Sequence, residues 1–252
     1  MTRLVYGVNP VKELLAARGR EVSVVYLAAG DTGAALAEIA RLARGRQITV
    51  EQRERHELDA LAGAEARHQG AIAIAGEFVY AELEDILLGL PQEAPAGPPL
   101  VVVLDGVQDP HNLGAIVRSA HVLGAHAVVV PKDRAAPITA AAVKASAGAT
   151  EHLPIVRVTN LVRALSELKE AGLWIVGTVA RSATRPWAVD LRGPIALVVG
   201  AEGPGLRPLV QKTCDFLVEI PMSGRVASLN VSVAAGALLY EAARQRCSGA
   251  TP

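Results

Sequence analysis

Leu100-Val-Val-Val-Leu104 sets the architecture, because five consecutive apolar side chains leave no polar face. A strand open to water on one side alternates polar and apolar residues, whereas an unbroken run of this length suits a strand covered on both faces. Four further runs follow, Ala127–Val130, Trp174–Thr178, Ile195–Val199 and Phe216–Ile220, separated by stretches of helical periodicity. Buried strands alternating with helices predict an α/β domain on a parallel sheet over residues 99–252.

Upstream of Leu100 the character changes. Residues 81–98 hold four acids and no base and are rich in Pro and Gly after Leu88, which predicts a linker. Residues 1–80 read as a smaller α/β module. It has an amphipathic helix near Pro10–Arg18, a strand at Glu21–Ala28, a helix at Thr32–Gly45, and strands near Gln47–Val50 and Ala71–Ala75.

Composition agrees with two domains: 252 residues, 51% of them hydrophobic, can bury one substantial core and a second small one. The two cysteines, Cys214 and Cys247, lack metal-like spacing and predict a reducing, cytoplasmic setting. The histidines His56, His68, His121, His126 and His152 show no metal-ligand spacing either, so no metal is expected. There is no basic leader before an apolar core, and no run nears the roughly 18 apolar residues of a membrane span, so neither export nor insertion is expected. The formal net charge of zero conceals a gradient. Ten bases balance ten acids in residues 1–80, while residues 99–252 hold fifteen bases against eleven acids, the sense that phosphate contact requires.

Three segments of the larger domain hold candidate chemistry. Gly200-Ala-Glu-Gly-Pro-Gly205 follows a buried run, and a glycine turn there lets backbone approach a ligand where a Cβ would clash. Its order, G-x-x-G-x-G, is not the G-x-G-x-x-G of dinucleotide sites and argues against a nicotinamide dehydrogenase. A ligand-free strand-to-helix turn is the plain alternative, but folding gives little reason for Glu202 inside it. Ile220-Pro-Met-Ser-Gly-Arg-Val-Ala-Ser-Leu-Asn-Val-Ser-Val-Ala234 places Ser228 and Asn230 just before an apolar helix, where either could be an N-cap. One cap suffices; two polar residues around Leu229, after Ser223-Gly224, suit a loop whose backbone binds a ligand while a side chain meets substrate. In Asn112-Leu-Gly-Ala-Ile-Val-Arg118, Asn112 could cap the helix that begins after Asp109-Pro110-His111. Leu113, Ile116, Val117, Ala120 and Leu123 form its apolar face, leaving Arg118 on a flank beside Gly114, Ala115 and His121. There a planar fork of donors suits an RNA phosphate, with a solvated arginine as the alternative.

In this order the segments resemble the three motifs of the SpoU (TrmH-like) RNA 2′-O-ribose methyltransferases. Tyr6-Gly-Val-Asn-Pro-Val11, His68-Gln-Gly-Ala-Ile72 and Leu104-Asp-Gly-Val-Gln-Asp-Pro-His-Asn-Leu-Gly114 are similar to its RlmB-type branch, which methylates a guanosine of 23S ribosomal RNA. The resemblance covers nearly the whole chain. It implies a SPOUT-type sheet tied in a deep trefoil knot, a rare exception to unthreaded folding, and an N-terminal L30e-like domain that binds RNA. It further implies S-adenosylmethionine as cofactor, contacted by Gly200, Ile220 and Leu229 largely through backbone, and a reaction centre of Asn112, Arg118, Glu202, Ser228 and Asn230. A homodimer is implied too, with Arg118 of one protomer reaching the pocket of its partner. The RNA partner is expected to be 23S rRNA or a large-subunit assembly intermediate; a tRNA or another rRNA as substrate, or a catalytically idle RNA-binding or ribosome-assembly protein, are the competing expectations, and retention of all five reaction-centre residues argues against the idle binder.

The reaction needs alignment of a methyl sulfonium with a ribose 2′-hydroxyl and help with that hydroxyl's proton. Family accounts give the arginine matching Arg118 the role of general base. A guanidinium keeps its proton at any ordinary pH and a phosphate anion strengthens that hold, so Arg118 is expected to bind phosphate and polarise the hydroxyl, with the proton leaving through phosphate or water. His111 is a competing base on the general chemistry of imidazole, or a turn-packing residue. Lys132, Arg134 and Lys144 are candidates for RNA backbone contact, or for a solvated face.

Overall fold

The computed structural model describes residues 2–31, 33–63, 66–90, 97–225 and 228–247. In chain order the first elements are β1 (Thr2–Tyr6), α1 (Val8–Arg18), β2 (Val22–Ala28), α2 (Ala34–Arg44), β3 (Thr49–Arg53), α3 (Arg55–Ala62), β4 (Ala71–Gly76) and α4 (Leu83–Gly89). There follow β5 (Leu100–Asp105), α5 (Pro110–Val122), β6 (Ala127–Pro131), α6 (Ala140–Ala145), β7 (Ile155–Val158), α7 (Leu161–Glu170) and β8 (Trp174–Thr178). The last are β9 (Ile195–Gly200), α8 (Pro208–Thr213), β10 (Phe216–Val218) and α9 (Val231–Cys247). No helix among the described residues is long and apolar enough to cross a membrane.

The chain divides into two compact units, Met1–Val79 with Pro137–His152, and Tyr80–Ala136 with Leu153–Pro252. In the first, β4 lies between β1 and β2, antiparallel to both, and β3 joins β2 in parallel. Leu14 and Leu15 of α1 and Leu36 and Ile39 of α2 are buried against this sheet with Val25, Ile72 and Ala73. Segment 137–152 belongs here although it separates β6 from β7 in sequence. Val143 joins the core, and the fully buried Glu151 carboxylate accepts from both Arg3 Nη1 at 2.8 Å and Nη2 at 2.7 Å. A bare carboxylate in that position would be costly, and the bidentate arginine offsets it. His68 is also structural. Its Nδ1 accepts from Gly70 N at 3.1 Å, which puts the ring proton on Nε2 facing Asp59 Oδ1 at 2.9 Å.

The second unit is a six-stranded sheet in the order β10-β8-β9-β5-β6-β7, parallel throughout. All six residues of β5 and all six of β9 are buried, as the unbroken apolar runs predict. Val101, Val103, Ala196 and Val198 share one core with α4, α7 and α8, which leaves the opposite face to α5 and α9, packed on each other.

Several elements depart from expectation. β1, α3 and β7 lack the predicted signals: α3 buries only Leu58, and β7 is an edge strand in which Arg157 is exposed. The run Phe216–Ile220 forms a strand only to Val218. The helix expected from Thr32 begins at Ala34, and Thr32 itself lies outside the described residues. Of the expected linker 81–98, Ala81 bridges Val156 and α4 buries Leu83, with Leu90, in the second unit's core. Two leucines and a main-chain bridge outweighed the acidic composition there; residues 91–96 lie outside the described residues.

Candidate active site at the carboxyl ends of the parallel sheet

Neighbouring strands β5 and β9 send the chain in opposite directions. From β5 it passes through α5 to β6 on one side; from β9 it passes through α8 to β10, beyond β8, on the other. Loops leaving adjacent carboxyl ends in opposite senses open a crevice between them, where open α/β sheets bind ligands. Here the crevice is bounded by residues 106–109 and 201–206.

The second of these loops is folded back on itself. Ala201 bridges Gly205, whose N–H donates to the Ala201 carbonyl at 3.0 Å. Gly203 and Gly205 have φ of 84° and 68°, the left-handed region that favours glycine. A Cβ at Gly200 would collide with the Gly205 carbonyl group. The turn therefore needs these glycines for its shape, and it lifts Glu202 into solvent at its tip.

Glu202 joins three segments distant in sequence. Its Oε1 accepts from Asn230 Nδ2 at 2.8 Å, from Val231 N at 3.1 Å and from Asn112 Nδ2 at 3.3 Å. Asn230 Nδ2 also donates to Asn112 Oδ1 at 2.9 Å. The other end of the Asn230 amide caps α9, its Oδ1 accepting from Ser232 N at 2.9 Å and Ser232 Oγ at 2.6 Å. Capping and site-building are thus done by opposite ends of one side chain. Asn112 is not the cap of α5: Asp109 is, accepting from His111 N at 2.9 Å, and Pro110 opens the helix. Asn112 lies inside the first turn, with its amide free to meet Glu202.

Two cavities flank this junction and share Ala201, Glu202 and Val231. One is bounded by Thr178–Ala180, the glycine turn, Ile220, Met222, Ser228 and Leu229. Its walls are mostly apolar side chains and main chain, with the hydroxyls of Thr178 and Ser228 and one carboxylate, and Met222 and Leu229 stand 37% and 39% exposed at its rim. Such a lining suits S-adenosylmethionine. Main-chain groups can pair with an adenine edge, apolar walls can cover its faces, and a carboxylate favours a nearby sulfonium. The second cavity is bounded by Gly106–Asp109, Asn112 and Pro204.

The structure therefore gathers Asn112, Glu202 and Asn230 at one point and sets Gly200, Ile220, Ser228 and Leu229 around the first cavity. Arg118 is not with them. It lies six residues beyond Asn112, about 120° around the helix and about 9 Å along it, exposed, and lines neither cavity. Ser228 makes no hydrogen bond among the described residues, and Val226 and Ala227 of the same motif lie outside them. Lys144 is in the first unit, donating to Gln69 Oε1 at 2.5 Å, with its pKa pushed down by burial.

The sequence reading missed the Thr178–Ala180 wall and two charged residues. Asp105 ends β5 with its side chain fully buried. Its Oδ2 accepts from Arg207 N at 2.8 Å and its Oδ1 from Arg207 Nε at 2.6 Å. An acid closing the run Leu100–Leu104 is the signal that could have identified it.

Comparison with known proteins gives the same picture. Residues 99–240 match the SpoU rRNA Methylase family, and residues 4–81 match the RNA 2'-O ribose methyltransferase substrate binding family. The 23S rRNA (guanosine-2'-O-)-methyltransferase RlmB of Pseudomonas aeruginosa is 46% identical over 245 residues, 96% of each chain. Its counterpart from Pseudomonas syringae pv. tomato is 44% identical over 251 residues, 98% of each. The SpoU methyltransferase AviRb from Streptomyces viridochromogenes, solved in complex with AdoMet, superposes with a TM-score of 0.80 at 30% identity, over 98% of this chain and 92% of that one.

Proposed function

Since the chain belongs to the SpoU rRNA Methylase family, we propose that it transfers a methyl group from S-adenosylmethionine to the ribose 2′-hydroxyl of a guanosine in 23S rRNA. The observation that carries this reading is the Asn112–Glu202–Asn230 junction between two cavities at the β5/β9 crevice. The RlmB relatives at 44% and 46% identity supply the RNA and the nucleoside.

Each residue has a part. Gly200, Ile220 and Leu229 hold the cofactor at the cavity wall, the first also letting the turn close against Gly205. When bound, the cofactor supplies an activated methyl group. Glu202, with Asn112 and Asn230 fixed on one oxygen, gives the reaction centre a rigid polar wall, and Ser228 faces the same cavity. Arg118 binds an RNA phosphate and polarises the hydroxyl, whose proton leaves through that phosphate or water as the methyl group is transferred and the neutral thioether departs. The first unit, matched by the substrate-binding family, holds the RNA.

Arg118 does this from a second protomer. Its position away from both cavities of its own chain supports a homodimer with composite sites. So do exposed apolar residues on the paired helices, Val122 on α5 and Val233 and Tyr240 on α9, at 73%, 54% and 63%. The same reading includes the trefoil knot. In its support, the chain leaves β9, passes β8 to the far edge at β10, and returns through α9 to pack on α5 and β9. A cytoplasmic setting fits a ribosomal RNA substrate and the free thiols of Cys214 and Cys247.

Transfer of labelled methyl groups to transcribed 23S rRNA and to bulk tRNA, with Arg118→Ala as control, tests the proposal. Label at one 23S ribose, absent from tRNA and from the variant reaction, is expected. Label on tRNA alone would overturn the substrate, and label on neither, despite cofactor binding, would point to a large-subunit assembly intermediate as substrate or to the idle-binder reading. An equal mixture of Arg118→Ala and Asn230→Ala chains should recover activity through mixed dimers, and activity no higher than either variant alone would remove the composite site.

A further inference from the structure

Asp105 touches neither cavity, yet both ends of the loop that bears Glu202 are tied to it. At one end its carbonyl accepts from Ala201 N at 3.0 Å; at the other its carboxylate accepts from Arg207 N at 2.8 Å and Arg207 Nε at 2.6 Å. The loop between them turns on the Ala201–Gly205 bridge. Glu202, at the loop's tip, is the acceptor for Asn112, Asn230 and Val231 N.

The carboxylate is out of place as a folding element. It is 1% exposed at the end of a strand of valines and leucines, whereas its partner's side chain is 47% exposed. A buried ion pair rarely adds stability over a well-packed apolar pair, so the distinctive property here is geometry. Two acceptor oxygens, one for a main-chain N–H and one for a guanidinium N–H, fix Arg207 in position and orientation. An apolar residue could fill the same space without fixing either.

We propose that Asp105 and Arg207 are positioning residues of the reaction centre: they clamp loop 201–206 from both ends and so set where Glu202 meets Asn112 and Asn230. The inference rests on the methyltransferase reading for its consequence in catalysis, but the clamp itself is a property of the free protein.

The test uses the full-length chain with Asp105→Asn, Arg207→Gln and Arg207→Lys. Without cofactor or RNA, amide exchange in residues 201–206 should rise about tenfold or more in Asp105→Asn and Arg207→Gln, while β5 and β9 exchange as in the wild type. With both substrates, kcat should fall by about ten- to a hundredfold, the range expected from a displacement of about 1 Å. The KM for RNA should stay within about twofold, because the RNA-holding unit is untouched. Arg207→Lys, which keeps the main-chain bond and the charge but not the Nε donor, should lie between. If Asp105→Asn fails to fold, the half-exposed Arg207→Gln decides the matter. Unchanged loop exchange together with unchanged kcat would overturn the clamp. A raised exchange rate with a wild-type protein that methylates no RNA would uphold the clamp and reject the reading on which its catalytic consequence rests.

Discussion

Replacing Arg246 with methionine should unfold the second unit far more readily than its place near the end of α9 suggests. The guanidinium pairs with no carboxylate among the described residues. Its Nε donates to Leu191 O at 3.1 Å, Nη1 to Pro98 O at 2.9 Å, and Nη2 to Pro99 O at 3.1 Å and Gly193 O at 2.9 Å. Those carbonyls lie just before β5 and β9, so one side chain joins the last turn of α9 to the amino ends of the two central strands. Burial pushes its pKa down, but an arginine remains charged at any ordinary pH. A hydrogen bond to a charged group contributes about 1.5–3 kcal/mol. Four bonds from one group do not add, and water replaces part of the loss at half-buried carbonyls, so about 3–4 kcal/mol is the reasoned cost. For a unit of this size that corresponds to roughly 6–16 °C in Tm. Trp174 and Trp187, the chain's two tryptophans, both lie in the second unit, so their fluorescence follows its unfolding by urea or heat. A loss below about 1 kcal/mol would refute the idea that these carbonyls depend on Arg246, and Arg246→Lys should recover only part of the difference.

Other outcomes follow from the site and its surroundings. Gly200→Ala should abolish cofactor binding by calorimetry, because its methyl group can enter only by opening the turn at Gly205; wild-type affinity would show that the turn yields. Asn230→Asp keeps the α9 cap but replaces a donor to Glu202 with a second carboxylate, so stability should change by less than about 1 kcal/mol while kcat falls at least tenfold. Its residual activity should rise as pH falls, since protonating one of two adjacent carboxyls restores a donor; a flat ratio to wild type across pH would contradict this. Burial pushes the Cys214 thiol up to about 11, so at pH 8 iodoacetamide should label the exposed Cys247 well before Cys214. The raised value also makes Cys214's contribution to stability complete below about pH 9 and lost as pH climbs toward 11.

How much could be read from the chain depended on whether a feature was local. β5, β8 and β9 were legible because burial on both faces requires uninterrupted apolar runs. β7 was not, since an edge strand can expose Arg157, here 4.3 Å from the ring centroid of Tyr80. Nothing local assigns segment 137–152 to the first unit; that follows from Glu151 meeting Arg3, 148 residues away in sequence. At the site, Asn112, Ser228 and Asn230 each carried a capping alternative. Asp109 took that role from Asn112, while Asn230 fills it and reaches Glu202 as well, a double use that appears only once the glycine turn and α9 are brought together.

The junction at Glu202 also sets a timetable. Asn112 and Asn230 are separated by 118 positions, which at about 5–20 residues per second is roughly 6 to 24 s of synthesis. Through most of that interval the nascent chain already possesses β5 and α5, but neither Glu202 nor the Asn230 amide that will hold it has yet been made. The first unit lacks segment 137–152 for only part of the same period. A chain still being translated thus receives every residue of the first unit before the second gains Glu202 and Asn230, so the junction is among the last features the molecule can assemble.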